Sequence, residues 1–242
     1  MPDLRSLHAA VDALVASHAA RVRAFDTGAF LSAGVDPFRL AFNVAMHGAP
    51  DAIRHEVQHK LEMALENDFG SFHEEYLGNC TRAPRGSRWR VVPRGQVPGV
   101  DLANDSEGIY LQLKSKHNSM NSSSAKRLAQ ELRALKARRP HATVGCAWVV
   151  ATTDRPCNGE GEIAAVGAVL KGKAVYDFVT GRSGDMDEVV ALLPGLMADA
   201  IRRHRLAEEI DNIAARVHAD LDRLARRSGY SIVEFIYNRS VS

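Results

Sequence analysis

Residues 97–140, VPGVDLANDSEGIYLQLKSKHNSMNSSSAKRLAQELRALKARRP, decide the fold class. Two extended segments, 99–102 and 109–114, flank Asn104-Asp105-Ser106-Glu107-Gly108, whose residue types favour a tight turn, so the stretch opens as a hairpin. Asn121 and Ser122 to Ser124 then offer caps for a helix that runs to about Arg139, before Pro140. Beyond it, 143–152 is a continuous apolar run, the pattern of a buried strand. Strand, helix and strand in this order make a crossover, and 173–180 reads as a further strand stopped by Gly181.

Outward from this centre the pattern is helical. Leu4, Leu7, Val11, Leu14, Val15 and Val22 predict an amphipathic helix over 3–24. A second helix follows Asp36 as N-cap and Pro37 as first helical residue. A third opens at Pro50-Asp51 and runs to Asp68, where Phe69-Gly70 breaks it. Residues 82–99 hold three prolines and three glycines among arginines, so they read as loop with a short strand over 89–92. Residues 185–227 are helical again, interrupted at Pro194-Gly195. The fold expected is an α/β or α+β core in one domain over 1–242, with helical regions at 1–50 and 185–242.

Composition narrows the function classes. No stretch reaches the roughly 18 apolar residues of a membrane span, and the N-terminus shows no secretory pattern. Cys80, Cys146 and Cys157 are odd in number and widely spaced, which suits reduced thiols and a cytoplasmic setting. The net charge of +2 hides a segregation. Residues 82–139 carry 13 Lys/Arg against 4 Asp/Glu, a net +9, which leaves 18 against 25, a net −7, for the rest. One basic quarter in an otherwise acidic chain suggests a polyanionic partner.

Gln112 and Lys114 are two apart on a strand and leave it on one face. Asp101, on the neighbouring strand of the hairpin, can point to the same face. A carboxylate, an amide carbonyl and an ammonium together suit phosphodiester hydrolysis, where oxygen ligands hold a hard cation and a lysine offsets the charge of the reacting phosphate. The same spacing also fits the polar face of any sheet. Lys116, His117, Asn118, Ser119, Asn121, Ser122 and Ser123 follow directly, leading to a helix N-terminus whose free N–H groups favour phosphate. Arg82, Arg85, Arg88, Arg90 and Arg94 lie between Cys80 and Gly99 without an acid among them; they form either a DNA-clasping loop or a solvated one. His73 and Glu74 stand near this site or only pack. Tyr176 and Asp177 fall on the late strand.

A second motif competes. His55-Glu56-Val57-Gln58-His59 is an HExxH, which on a helix presents two imidazoles for Zn²⁺ and a Glu as base, the signature of a zinc metalloprotease. Charged Arg54 and Lys60 flank it, and Glu62 and Leu65 stand where the extended motif needs Gly and His. A DNA-binding protein without catalysis is a third reading of the basic segment.

The segment LQLKSKHNSMNSSS, residues 111–124, resembles the catalytic segment of a type II restriction endonuclease family that cuts GGNCC-type sites, within the PD-(D/E)XK nuclease superfamily. Residues 62–78, EMALENDFGSFHEEYLG, and 176–181, YDFVTG, are similar to the same family. The resemblance implies a mixed central sheet flanked by helices, Mg²⁺ with Mn²⁺ as a substitute, double-stranded DNA and a homodimer. It makes Asp101 the metal-binding aspartate, Lys114 the catalytic lysine and Glu62 an additional acidic ligand. Gln112 departs from the superfamily pattern, which has Glu or Asp; its carbonyl can still ligate a cation but brings no charge. Lys116, His117, Asn118, Ser119, Asn121, Ser122, Ser123, Arg82, Arg85 and Arg88 are the expected DNA contacts.

Overall fold

A computed structural model describes residues 2–240. Along the chain the elements are α1 (Leu4–Ala24), α2 (Thr27–Ser32), α3 (Pro37–His47), α4 (Ala49–Asn79), β1 (Thr81–Arg82), β2 (Ser87–Arg88), β3 (Arg90–Val91), β4 (Leu102–Asn104), β5 (Ile109–Lys116), α5 (Ser122–Arg138), β6 (Thr143–Val150), α6 (Glu160–Ala164), β7 (Ala168–Lys171), α7 (Lys173–Thr180), α8 (Asp185–Arg203), α9 (Leu206–Arg227) and α10 (Ile232–Ser240). The α/β character expected from the sequence is what the chain adopts. It packs as two compact units, one of Met1–Leu14 with Phe69–Leu196, the other of Val15–Asp68 with Met197–Ser242.

The first unit holds a five-stranded mixed sheet in the order β3-β4-β5-β6-β7. The predicted hairpin is β4 and β5, antiparallel, with Asn104 opposite Ile109. Its turn is held by Asn104, whose side-chain oxygen accepts from Ser106 Oγ at 2.8 Å and from the Glu107 N–H at 3.2 Å. The predicted crossover is α5, which returns the chain so that β6 lies parallel to β5 with Gln112 opposite Cys146 and Lys114 opposite Trp148. α5 begins where its caps predict: Asn121 Oδ1 accepts from the Ser124 N–H at 2.9 Å. Leu128, Leu132 and Leu135 turn inward from it onto Tyr110, Val144, Cys146 and Trp148, which share one face of the sheet.

Three element assignments change. α4 does not stop at Phe69-Gly70 but runs on to Asn79. A helical glycine gives up only about 1 kcal/mol against alanine, and here the missing side chains make room: a Cβ on Gly70 would stand 3.0 Å from Ser115 Oγ, and one on Gly78 2.5 Å from Val91 Cγ2. Residues 173–180 are helix α7, not a strand; Val175, Tyr176, Val179 and Thr180 are buried at helical spacing, and the last parallel strand is the preceding β7. α8 continues through Pro194, and the interruption falls instead at Arg205, whose φ of 52° turns the chain into α9. The N–H that proline lacks would have bonded the Val190 carbonyl, and Val190 is exposed, so water can serve that oxygen.

The second unit is helical. Ile213, Val217, Leu221 and Ala225 form the buried stripe of α9 and pack with Phe30, Leu40, Ile53, Val57, Leu61 and Ile236. Asp36 caps α3 as predicted, accepting from the N–H groups of Phe38 at 2.9 Å and Arg39 at 3.3 Å. No helix among the described residues is long and apolar enough to cross a membrane.

Candidate active site

Asp101 leads into β4. Its N–H donates to the Leu111 carbonyl at 2.9 Å and its carbonyl accepts from the Val92 N–H at 2.7 Å, so neighbours on both sides fix its backbone. Gly99 sets up the approach with a φ of +73°, and α5 lies so close that a Cβ there would be 2.9 Å from both Glu131 Oε2 and Leu128 Cδ1. The Asp101 carboxylate turns to β5. Its Oδ2 accepts from the Leu113 N–H at 2.8 Å and from Gln112 Nε2. Asp101 and Gln112 are therefore hydrogen-bonded, with Gln112 as the donor.

Lys114 is half-buried one pleat beyond Gln112. Burial pushes the Asp101 carboxyl above the usual aspartate range, opposed by the Leu113 N–H and by the charges of Lys114 and Arg94. Glu74, delivered by the continuation of α4, stands in the same field. Burial, then the neighbouring Asp101 charge, push its carboxyl up, while Arg94 and Lys114 pull it down. A carboxylate with an amide bonded to it, and a second carboxylate within the field of the first, are oxygen donors of the kind that suit a hard divalent cation. Glu62, expected as a further acidic ligand, is exposed on the part of α4 that belongs to the second unit. The first unit's second acid is thus Glu74; an unbroken helix was the signal that could have found it. Next to it, His73 Nδ1 lies 2.9 Å from the Tyr176 hydroxyl, and burial brings the His73 imidazole down to about 4. Tyr176 is therefore a core residue of a helix.

At the outgoing end of β5, Lys116, His117, Asn118 and Ser119 are exposed in a turn that ends on buried Met120. Ser122 and Ser123 are exposed at the start of α5, and Ser123 Oγ donates to the capping Asn121 at 2.8 Å. Asn121 is thus occupied as a cap. The Asn158 N–H donates to the His117 carbonyl at 2.9 Å and ties this turn to exposed Thr152, Thr153, Asp154 and Arg155, which the sequence reading did not single out. His117, Thr152 and Arg155 line a cleft of about 660 Å³ together with Val150, Lys173 and Val190.

The arginines divide. Arg82 donates from Nε to the Phe178 carbonyl at 2.9 Å, lies over the Phe178 ring at 4.9 Å and pairs with Glu107. Arg85 approaches the same carboxylate at 3.5 Å. Ser87, foremost, and these arginines hold the Glu107 carboxyl below its usual range. Arg82 therefore serves the fold, joining the β1–β2 hairpin to the β4–β5 turn. Arg88 is exposed on β2, and Arg94 is exposed with its charge in the field of Asp101 and Glu74.

The zinc motif does not assemble. Glu56 is 2% exposed and accepts from Arg39 Nε at 2.9 Å and Nη2 at 2.8 Å, so it is committed to an ion pair. His55 packs edge-on against His47 at 5.2 Å. Among the described residues no three His, Cys, Asp or Glu side chains are grouped to hold a metal.

Comparison with known proteins shows the family of the chain. The chain is similar to the type II restriction enzyme Sau96I of Staphylococcus aureus, 22% identical over 147 residues. The match covers 60% of this chain and 53% of that protein, so the chain spans about half the length of the curated relative it matches. The family model for the Eco47II restriction endonuclease matches residues 3–202, a range that holds Glu74, Asp101, Gln112 and Lys114. With most of its length in that match, the chain belongs to the Eco47II restriction endonuclease family.

Proposed function

We propose that the protein is a site-specific endonuclease that hydrolyses phosphodiester bonds of double-stranded DNA with Mg²⁺, accepting Mn²⁺. The observation that carries this reading is the Asp101–Gln112 hydrogen bond, with Lys114 one pleat on and Glu74 in the field of Asp101, on the strand that leads to the exposed polar turn 116–119. Asp101 and Glu74 would hold the cation, and the Gln112 amide, donating to Asp101, keeps that carboxylate turned to the site. When bound, the cation offsets charge on the phosphate and makes a water more acidic. Lys114 supplies a fixed positive charge towards the non-bridging oxygens as negative charge builds on them. Water oxygen bonds to phosphorus and releases a proton to solvent, the bond to the 3′ oxygen breaks, and that oxygen takes up a proton from solvent, leaving a 5′-phosphate.

Two subunits, one site each, would cut both strands of a symmetric sequence. A GGNCC-type target rests on the resemblance of residues 111–124 to the family that cuts such sites. Lys116, His117, Asn118, Ser119, Asn121, Ser122, Ser123, Arg85 and Arg88 are exposed candidates for contact with it, and half-buried Arg82 stands beside Arg85. The test is digestion of a sequenced plasmid with Mg²⁺ and mapping of the ends. Asp101→Ala, Glu74→Gln and Lys114→Ala are each expected to lose cutting while keeping the fold. Full activity in Asp101→Ala and Lys114→Ala would overturn the reading, and DNA binding without cleavage by the wild type would favour a binding protein.

A further inference from the structure

Helix α3 is apolar on two sides. Leu40 and Val44 face the core of the second unit. Phe38, Ala41, Phe42, Ala45 and Met46, at helical spacing of i, i+3, i+4, i+7 and i+8, are all exposed. Phe38 is 77% exposed, Phe42 65% and Met46 62%. Tyr237 of α10 extends the patch, 44% exposed and edge-on to Phe38 at 6.4 Å. Since a buried aromatic removes ~150–250 Å² from water, these four large side chains present roughly 450 Å² of mainly apolar surface. That is more than half of the ~800 Å² that each partner buries in a stable interface.

We infer that this stripe is the seam between two copies of this chain, α3 against α3, antiparallel about a two-fold axis at Phe42. The stripe is its own complement. Phe38 and Met46 lie equally far on either side of Phe42, so the antiparallel pair sets each against the other, and Ala41 and Ala45 leave hollows for the larger side chains. The ends match in hydrogen-bonding type as well, a carboxylate acceptor against an imidazole that can donate. Exposed Asp36 at the N-terminal end of one helix comes beside exposed His47 at the C-terminal end of the other, and the two helix dipoles oppose. This deepens the dimer part of the reading above, and its test uses no DNA, so its failure is distinct from a failure of the nuclease reading.

The test is sedimentation of the full chain over micromolar concentrations. A dimer is expected, and Phe42→Glu should raise its dissociation constant by roughly 100-fold or more, because two carboxylates then face each other across the axis. Far-UV circular dichroism should be unchanged, since the Phe42 side chain is largely outside the core. Phe42→Cys should form a disulfide-linked dimer under mild oxidation, whereas a cysteine at exposed Ala215 of α9 should not; the native Cys80, Cys146 and Cys157 are buried. A monomeric wild type overturns the proposal, as does a Phe42→Glu variant that stays dimeric. A dimer lost in Phe42→Glu without cross-linking through Phe42→Cys overturns the antiparallel geometry.

Discussion

Replacing Gly99 by alanine tests how Asp101 is placed. Gly99 sits two residues upstream at a φ of +73°, with α5 pressed against the position a Cβ would take. An L-residue held in the left-handed region loses about 1–2 kcal/mol. The new methyl group would meet Leu128 Cδ1 and Glu131 Oε2 at 2.9 Å and Glu131 Cβ at 3.1 Å. Crowding of this kind typically adds about 1–3 kcal/mol. Part is recoverable because the Glu131 carboxylate is the end of a flexible chain, so the sum is about 2–4 kcal/mol, a fall in melting temperature on the order of 10 °C. Calorimetry of Gly99→Ala, alone and with Glu131→Ala, separates the two contributions, since relief of crowding appears as non-additivity and backbone strain does not. Cleavage should fall below what the loss of folded protein explains, because any relief must move Val100 and Asp101. A Gly99→Ala protein with wild-type melting temperature and cleavage rate would refute the account of how the aspartate is positioned.

Two further outcomes follow from the charge arrangement. Asp101 and Glu74 both hold their protons more tightly in the folded protein than in the unfolded chain. Such groups stabilise the fold below the ordinary carboxylate range, about pH 4, and that contribution is lost as pH rises through their folded values. In chelator, Asp101→Asn with Glu74→Gln should therefore gain melting temperature over the wild type as pH rises from acid to neutral; parallel curves would contradict the shared field. Arg82→Ala should lose on the order of 2 kcal/mol in urea unfolding, through its bonds and its ring contact. Arg88→Ala should leave stability within about 0.5 kcal/mol while lowering the salt dependence of DNA binding by about one phosphate contact. The reverse pattern would exchange the roles of the two arginines.

The sheet and the approach of Gln112 to Asp101 were legible because local signals and the global arrangement agree. The turn residues at 104–108, the cap at Asn121 and the two-residue spacing of Gln112 and Lys114 each act within a few residues. Elements decided by distant packing were not. Gly70 looks like a helix end until Ser115 is seen against it, and ending α4 there hid the fact that the helix delivers Glu74. Val175, Val179 and Thr180 are strand-favouring residues, yet their buried positions follow a helical period that only the neighbouring elements reveal. Arg82 reads as a free cation because its partner, Glu107, stands in a turn 25 residues on. The division into two units was hidden for a related reason: α1, α4 and α8 each run across its boundary without a break.

The two margins of the central sheet have a consequence for how the molecule avoids its neighbours. β3 is two residues long and β7 four, so neither margin offers the long row of unpaired backbone donors and acceptors on which another strand could zip. A continuous sheet across two molecules, and with it the route to edge-to-edge aggregation, is closed by the brevity of these strands. Association is left to side-chain surfaces, where sequence rather than backbone chooses the partner.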